Sequence, residues 1–249
     1  MNAVIRADVR KAKLEHRWRM IGVADGFNWL IWSGQSKQLM LGSVRGILSC
    51  GGTILGTTNR GNPIAFPAEE NGRTVIRDYS GQSIEGMKKL GIEALIAIGG
   101  DGTLSVAYDF AKIGIKIVGI PKTSDNNQLA TETTSGFDTA LHVATDAIDR
   151  LRTTVESHHR VMVIEFMGRN SGWIALHSWL AGGASVILIP KTWSTIETAC
   201  ESVKSREAQS YPRSLVVVAE AANLPLRDAL GKPFSKAQPG PMGWFTKPL

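Results

Sequence analysis

Ile96-Ala97-Ile98-Gly99-Gly100-Asp101-Gly102-Thr103 decides the fold. An apolar run feeds a glycine-rich turn, and the turn opens into the helical pattern of residues 104–112. Glycines let backbone N–H groups approach a polyphosphate closely, and the start of the following helix favours negative charge. A carboxylate at that turn, Asp101, is placed to hold a divalent cation over the phosphates, because hard cations take carboxylate and phosphate oxygens together. The stretch therefore predicts strand, phosphate-binding turn and helix, with Gly100, Asp101, Gly102 and Thr103 as its ligand-facing residues.

Outward from this stretch, apolar runs and helical patterns alternate. Helices are expected at 2–14, 79–90, 137–156, 171–180 and 195–208, and strands at 20–23, 94–98, 116–120, 161–166, 185–189 and 215–219. Leu141, Ala144, Ile148 and Leu151 keep helical spacing, and the strands are short and apolar throughout. Such alternation implies βαβ units around largely parallel sheet, covered on both faces. In the first helix Val4, Ile5 and Val9 share one side, with Asp8 awkwardly close to it. Residues 27–40 carry Trp29 and Trp32 and fit neither period.

The chain has 249 residues, 43% of them hydrophobic, enough for one large or two modest cores. Its net charge of +6 owes part to Arg10, Lys11, Lys13, Arg17 and Arg19, a set that fits a solvated helix face or an anionic partner. No nucleic-acid motif accompanies it. Two distant cysteines, Cys50 and Cys200, make no disulfide framework and suit a reducing cytoplasm. No apolar run has the length of a membrane span, and 1–6 lacks a secretory core, so a cytoplasmic protein is expected. From Lys232 onward Pro233, Pro239, Pro241 and Pro248 break any period.

Two more segments carry chemistry. Pro121-Lys122-Thr123-Ser124-Asp125-Asn126-Asn127 follows a strand, at the carboxyl edge where open α/β sheets bind ligands. Asp125 could take a proton from a sugar hydroxyl and Lys122 could offset phosphate charge; an Asx-rich turn chosen for its own backbone bonds fits the same residues. Met167-Gly168-Arg169-Asn170-Ser171-Gly172-Trp173 lies at another strand-to-helix junction, and the planar fork of Arg169 suits phosphate. The pair His158-His159 invites a zinc reading, but adjacent side chains diverge and no further ligands cluster with them.

Together these segments resemble the 6-phosphofructokinase family. The matching pieces are MNAVIRADVRKA at 1–12, GGTILGT at 51–57, IGGDGT at 98–103, GIPKTSDNN at 119–127, SGFDTA at 135–140, AIDRLR at 147–152, SHHRVMVIEFMGRNSGW at 157–173 and VVVAE at 216–220. NAD kinases and diacylglycerol kinases share a related Asp101 loop but not the Asp125 and Arg169 segments.

The resemblance implies an α/β fold of two similar three-layer αβα domains with mostly parallel sheets: 1–136 for nucleotide and magnesium, 137–231 for the sugar phosphate, and an irregular tail at 232–249. It implies transfer of the ATP γ-phosphate to the 1-hydroxyl of fructose 6-phosphate, a step of glycolysis, with Mg2+. Asp101 resembles the magnesium ligand, Asp125 the general base and Thr123 the hydroxyl that binds the transferring phosphate. Arg60 resembles the nucleotide-side arginine. Met167, Gly168, Arg169 and Glu220 resemble contacts to fructose 6-phosphate. Arg160 resembles an arginine lent across a subunit interface, which implies a homo-oligomer, usually a tetramer. Gly102 matches ATP users, whereas Lys122 is common in pyrophosphate users, and the combination resembles an ATP-dependent subgroup. A pyrophosphate-dependent enzyme and a catalytically defective fragment or subunit are the alternatives.

Departures from the family pattern set further expectations. The family's first strand and glycine-rich loop would precede Met1, and its segment after the Glu220 strand is replaced by the proline-rich tail, so the chain is expected to be incomplete at both ends. Asn127 stands where the family has an aspartate near the metal, Ser124 replaces an aliphatic residue with little expected effect, and Ala222 replaces a usual glycine. Arg6, Arg10 and Arg152 resemble effector-site arginines, but Cys50 and Lys191 depart from that site.

Overall fold

Asn2 starts helix α1 (Asn2–Leu14) and ties it to a distant loop. In the computed structural model, which describes residues 1–32, 36–58, 61–70, 72–192, 195–211 and 213–222, the Asn2 side chain is 2% exposed. Its amide N–H groups donate to the Cys50 and Gly51 carbonyls, and its Oδ1 accepts from the Ile54 N–H at 2.8 Å. A buried amide with its donors and acceptor engaged avoids the cost of stranded polar groups. The glycine-punctuated loop at 51–57 is thereby fixed beside the start of α1.

The chain divides into units Met1–Asp138 and Thr139–Leu249. The first holds α1, β1 (Met20–Val23), α2 (Asn28–Trp32), β2 (Ser36–Leu39), β3 (Phe66–Glu70), β4 (Arg73–Arg77), α3 (Ser80–Lys89), β5 (Leu95–Gly99), α4 (Asp101–Lys112) and β6 (Ile117–Pro121). α5 (Phe137–His158) leads into the second, with β7 (Val161–Phe166), α6 (Trp173–Gly182), β8 (Val186–Leu188), α7 (Ile196–Ala208) and β9 (Ser214–Ala219).

Parallel pairing occurs where βαβ alternation predicts it. β5 and β6 pair in parallel from Leu95↔Ile117 to Gly99↔Pro121. β7, β9 and β8 form a parallel sheet in that spatial order. Residues before α3 differ from that expectation, forming two antiparallel pairs, β1–β2 and β3–β4. The ambiguous stretch 27–40 becomes α2 and β2. The β3–β4 hairpin closes with Glu70 paired to Arg73, and in sequence an Asn-Gly pair is a strong hairpin mark. Its strands are largely exposed and polar, so they carry little apolar alternation.

Helices line both faces of β5. Ile98 packs with Ile5 and Val9 of α1, while Leu95 joins Leu30 of α2 and Met87 of α3. In the second unit Ile148 and Val155 of α5 and Ala175 of α6 close over Leu215, Val217 and Ala219 of β9. Asp8 keeps the discord its sequence position announces: its Oδ2 is buried with no hydrogen-bond partner, and burial raises its pKa.

Candidate phosphoryl-transfer and sugar-phosphate sites

β5 delivers Gly99 and Gly100 to the start of α4. A Cβ on Gly99 would lie 2.3 Å from the Thr103 hydroxyl oxygen, so only glycine lets Thr103 fold back over the strand end. Gly100 is the extended residue before the helix, and Asp101 is the acid of its first turn. The first N–H groups of a helix lack intrahelical acceptors, so α4 presents donors and a positive dipole end here. The Gly102 Cβ position is open, with nothing within 4 Å. The predicted helix start at residue 104 moves to Asp101, because Asp101 and Gly102, read as turn, already adopt helix.

The Asp125 loop is held against this helix start. The Lys122 N–H donates to the Gly99 carbonyl at 2.8 Å, and the Ser135 N–H donates to the Pro121 carbonyl. Thr134 is buried and its hydroxyl donates to the Thr123 carbonyl at 2.7 Å. Asn126 takes a left-handed φ of 50°. Its side chain accepts from the Thr134 N–H and donates to the Glu132 carbonyl, closing the loop on itself.

Within that frame Asp125 is 8% exposed. Its N–H donates to the Thr123 hydroxyl, and the Ser124 hydroxyl donates to its Oδ1 at 3.0 Å. Ser124, expected to matter little, thus bonds the candidate base directly. The Asx-turn reading holds for Asn126, which closes the loop, while the Asp125 carboxylate accepts from the neighbouring Ser124 hydroxyl.

Asp101 and Asp125 share this loop cluster. Two and three residues beyond Asp125, the Asn127 amide donates to Asp101 Oδ2 at 3.5 Å and the Gln128 amide to Asp101 Oδ1 at 2.7 Å. Gln128 escapes the sequence reading; the unbroken polar run from Asp125 through Gln128 was its one signal. Near the same strand end the Met1 ammonium has a lowered pKa, from burial first and from the charge of Lys122 second.

Among the described residues no group of three His, Cys, Asp or Glu converges on a metal position. A cation at Asp101 would therefore have one carboxylate, with amide, phosphate and water oxygens completing its shell. That donor set fits magnesium, which is commonly bound through one or two carboxylates plus substrate phosphates.

In the second unit the segment after β7 is organised by its backbone. Gly168 has φ 143° and Arg169 has φ 45°, outside the range most side chains adopt. The Arg169 N–H donates to Glu220 Oε1, and the Glu220 N–H donates to the Phe166 carbonyl, so these two predicted residues meet at the carboxyl ends of β7 and β9. The Ser171 hydroxyl donates to the Gly168 carbonyl at 2.6 Å. Gly172 precedes α6 at φ 69°, and a Cβ there would lie 2.9 Å from Pro190 Cδ. Met167 is exposed beside them.

Arg160 is not brought to this group. It precedes β7, its carbonyl accepting from the Ser214 N–H, so its backbone lies at the opposite end of a strand about 20 Å long at 3.3 Å per residue. The Arg152 guanidinium, likened to an effector-site group, donates to the Gly182 carbonyl at the end of α6. Ala222, standing for a usual glycine, takes no left-handed φ; its N–H donates to the Ala219 carbonyl. Arg60 and the tail at 232–249 lie outside the described residues.

Parallel strands whose carboxyl ends carry a Gly-Gly-Asp-Gly-Thr helix start and an aspartate-bearing loop define an α/β protein of the class that binds ligands at that edge. The chain belongs to the phosphofructokinase family, which matches residues 1–238. It is 48% identical over 223 residues to ATP-dependent 6-phosphofructokinase 2 of Clostridium perfringens, covering 89% of this chain and 61% of that protein. It is 49% identical over 222 residues to the pyrophosphate–fructose 6-phosphate 1-phosphotransferase of Amycolatopsis methanolica, again covering 89% and 61%. The chain thus spans about 61% of the length of these curated relatives. Among solved structures, Pichia pastoris phosphofructokinase in the T-state matches with a TM-score of 0.77 at 30% identity, covering 94% of this chain and 26% of that one.

Proposed function

We propose that this chain carries phosphoryl-transfer and sugar-phosphate groups of a 6-phosphofructokinase that moves the γ-phosphate of ATP to the 1-hydroxyl of fructose 6-phosphate. The observation that carries the reading is the buried Asp125 on a loop whose next residues bond the Asp101 carboxylate. Asp125 accepts the hydroxyl proton as the sugar oxygen attacks phosphorus. The Ser124 hydroxyl on Oδ1 limits its rotation and the Thr123 hydroxyl fixes its backbone N–H, so the carboxylate starts near a productive orientation. Thr123 donates to the transferring phosphate. Lys122 and the first N–H groups of α4 offset the charge that develops on phosphate oxygens.

Asp101 would hold Mg2+, which when bound shields the polyphosphate charge. Met167, Gly168, Arg169 and Glu220 would contact fructose 6-phosphate. Arg160 would serve a neighbouring copy in a homo-oligomer, a tetramer in this reading, and Arg60 the nucleotide side. The open space at Gly102 supports a nucleotide donor, since a side chain there would narrow the approach to the helix start. Lys122 and the Amycolatopsis relative support pyrophosphate as the rival donor. A cytoplasmic setting accords with two exposed free cysteines; among the described residues no helix is long and apolar enough to cross a membrane.

An assay coupled to fructose 1,6-bisphosphate formation, run with ATP and then with pyrophosphate, tests this. Turnover with ATP alone supports the proposal and turnover with pyrophosphate alone reverses the donor. No turnover with either, on a sample folded by circular dichroism, rejects it for this chain.

A further inference from the structure

We infer that Gln128 is a cation-facing residue of the Asp101 site. Its amide restrains the Asp101 carboxylate when no cation is bound and turns its carbonyl oxygen inward when one is. The inference rests on the reading of Asp101 as the metal ligand.

The Gln128 amide nitrogen sits where two oxygens converge, Asp101 Oδ1 at 2.7 Å and Asn127 Oδ1 at 3.3 Å. An ionised carboxylate only accepts hydrogen bonds, so the NH2 end of Gln128 must face it. That nitrogen occupies with partial positive charge the point where a hard cation would gather the same oxygens. A primary amide offers two ends, and its carbonyl oxygen is an accepted ligand for hard divalent cations. The last torsion of glutamine is broad and roughly two-fold, so exchanging NH2 for oxygen needs rotation of one soft bond. Asn127 is placed to do the same, because its amide nitrogen faces Asp101 Oδ2 while its oxygen faces Gln128.

The arrangement has a chemical consequence. One carboxylate and two neutral amides hold a cation with less charge than paired carboxylates would. A divalent ion already carried by a polyphosphate should bind more tightly than the free ion, since phosphate oxygens supply the missing negative charge. Leucine at residue 128 would keep the bulk and lose both the donor and the oxygen; glutamate would supply a permanent oxygen donor.

Titration of the full chain with Mn2+, followed by electron paramagnetic resonance of the free ion, tests this on four proteins: the wild type, Gln128→Leu, Gln128→Glu and Asp101→Asn. Circular dichroism checks that each is folded. Expected are saturable binding by the wild type, weakening by threefold or more in Gln128→Leu, and tightening in Gln128→Glu. Binding by Gln128→Leu equal to or tighter than the wild type overturns the inference, as does Gln128→Glu without tightening. If Asp101→Asn loses binding while both Gln128 variants match the wild type, only this inference fails. If Asp101→Asn binds like the wild type, or the wild type shows no saturable binding, the metal reading of Asp101 fails with it.

Discussion

The loops that follow β6 and β7 leave comparable strand ends but lean to different degrees on side-chain bonds and on left-handed backbone. After β6, side chains do the holding: Thr134 on the Thr123 carbonyl, Asn126 across to Glu132 and Thr134, Ser124 on Asp125, and Gln128 on Asp101. After β7, backbone geometry does it: Gly168 and Arg169 at positive φ, Gly172 at φ 69°, and the Arg169 N–H on a glutamate. A loop fixed by side chains should tolerate changes in backbone propensity and suffer from changes in polar chemistry. A loop fixed by dihedral angles should do the reverse.

The largest expected effect breaks the comparison on its chemical side. Asp125→Asn retains an oxygen for the Ser124 hydroxyl to donate to but removes the proposed base. Turnover should fall by about 10²- to 10⁴-fold, the usual share of general base catalysis, with little change in melting temperature. Steady-state kinetics beside a thermal melt would show it; a matching loss of fold would mean that Asp125 is structural.

A paired glycine replacement sharpens the other side. Gly172→Ala forces a Cβ into a left-handed position against Pro190 and should cost about 1–3 kcal/mol in urea unfolding. Gly102→Ala, in helical backbone facing open space, should be neutral or stabilise by up to about 1 kcal/mol. Equal costs at both positions would remove the case that the loop after β7 depends on the left-handed angle of Gly172.

The smallest effect comes from Asp8 of α1, whose buried oxygen has no partner. Its pKa is raised in the folded chain, so its contribution is most favourable below the unfolded value of 3.8 and is lost as pH rises through the raised pKa. Asp8→Asn should therefore raise the melting temperature slightly at pH 7, and the gain should shrink as pH falls toward 4. A gain independent of pH would point to helix propensity instead of desolvation.

What could be read in advance follows the range of the interactions. The boundaries of α1, β1 and β7 came directly from apolar spacing, which is local. So did the Asp101 turn, because glycines, an acid and a following helix fall within a few residues. The β3–β4 hairpin is hard to read because its largely exposed strands lack apolar alternation, although the sequence carries Asn71-Gly72 between them. Ser124 was undervalued because its worth lies in the direction of its hydroxyl, toward Asp125. Gln128 was missed because its partner is 27 residues away, a contact no local pattern encodes. Arg169 and Glu220 were named separately, and their pairing at adjacent strand ends, 51 residues apart in sequence, needed coordinates.

The amide of Asn2 reaches partners as far as 52 residues along the chain. Until residues 50–54 are made the Asn2 amide lacks these partners, and until Leu39 and Ile98 are in place the apolar side of α1 lacks part of its cover. Loop closure over such a span is entropically slow compared with helix formation. Helix α1 should therefore seat itself late, after the strands it covers have formed.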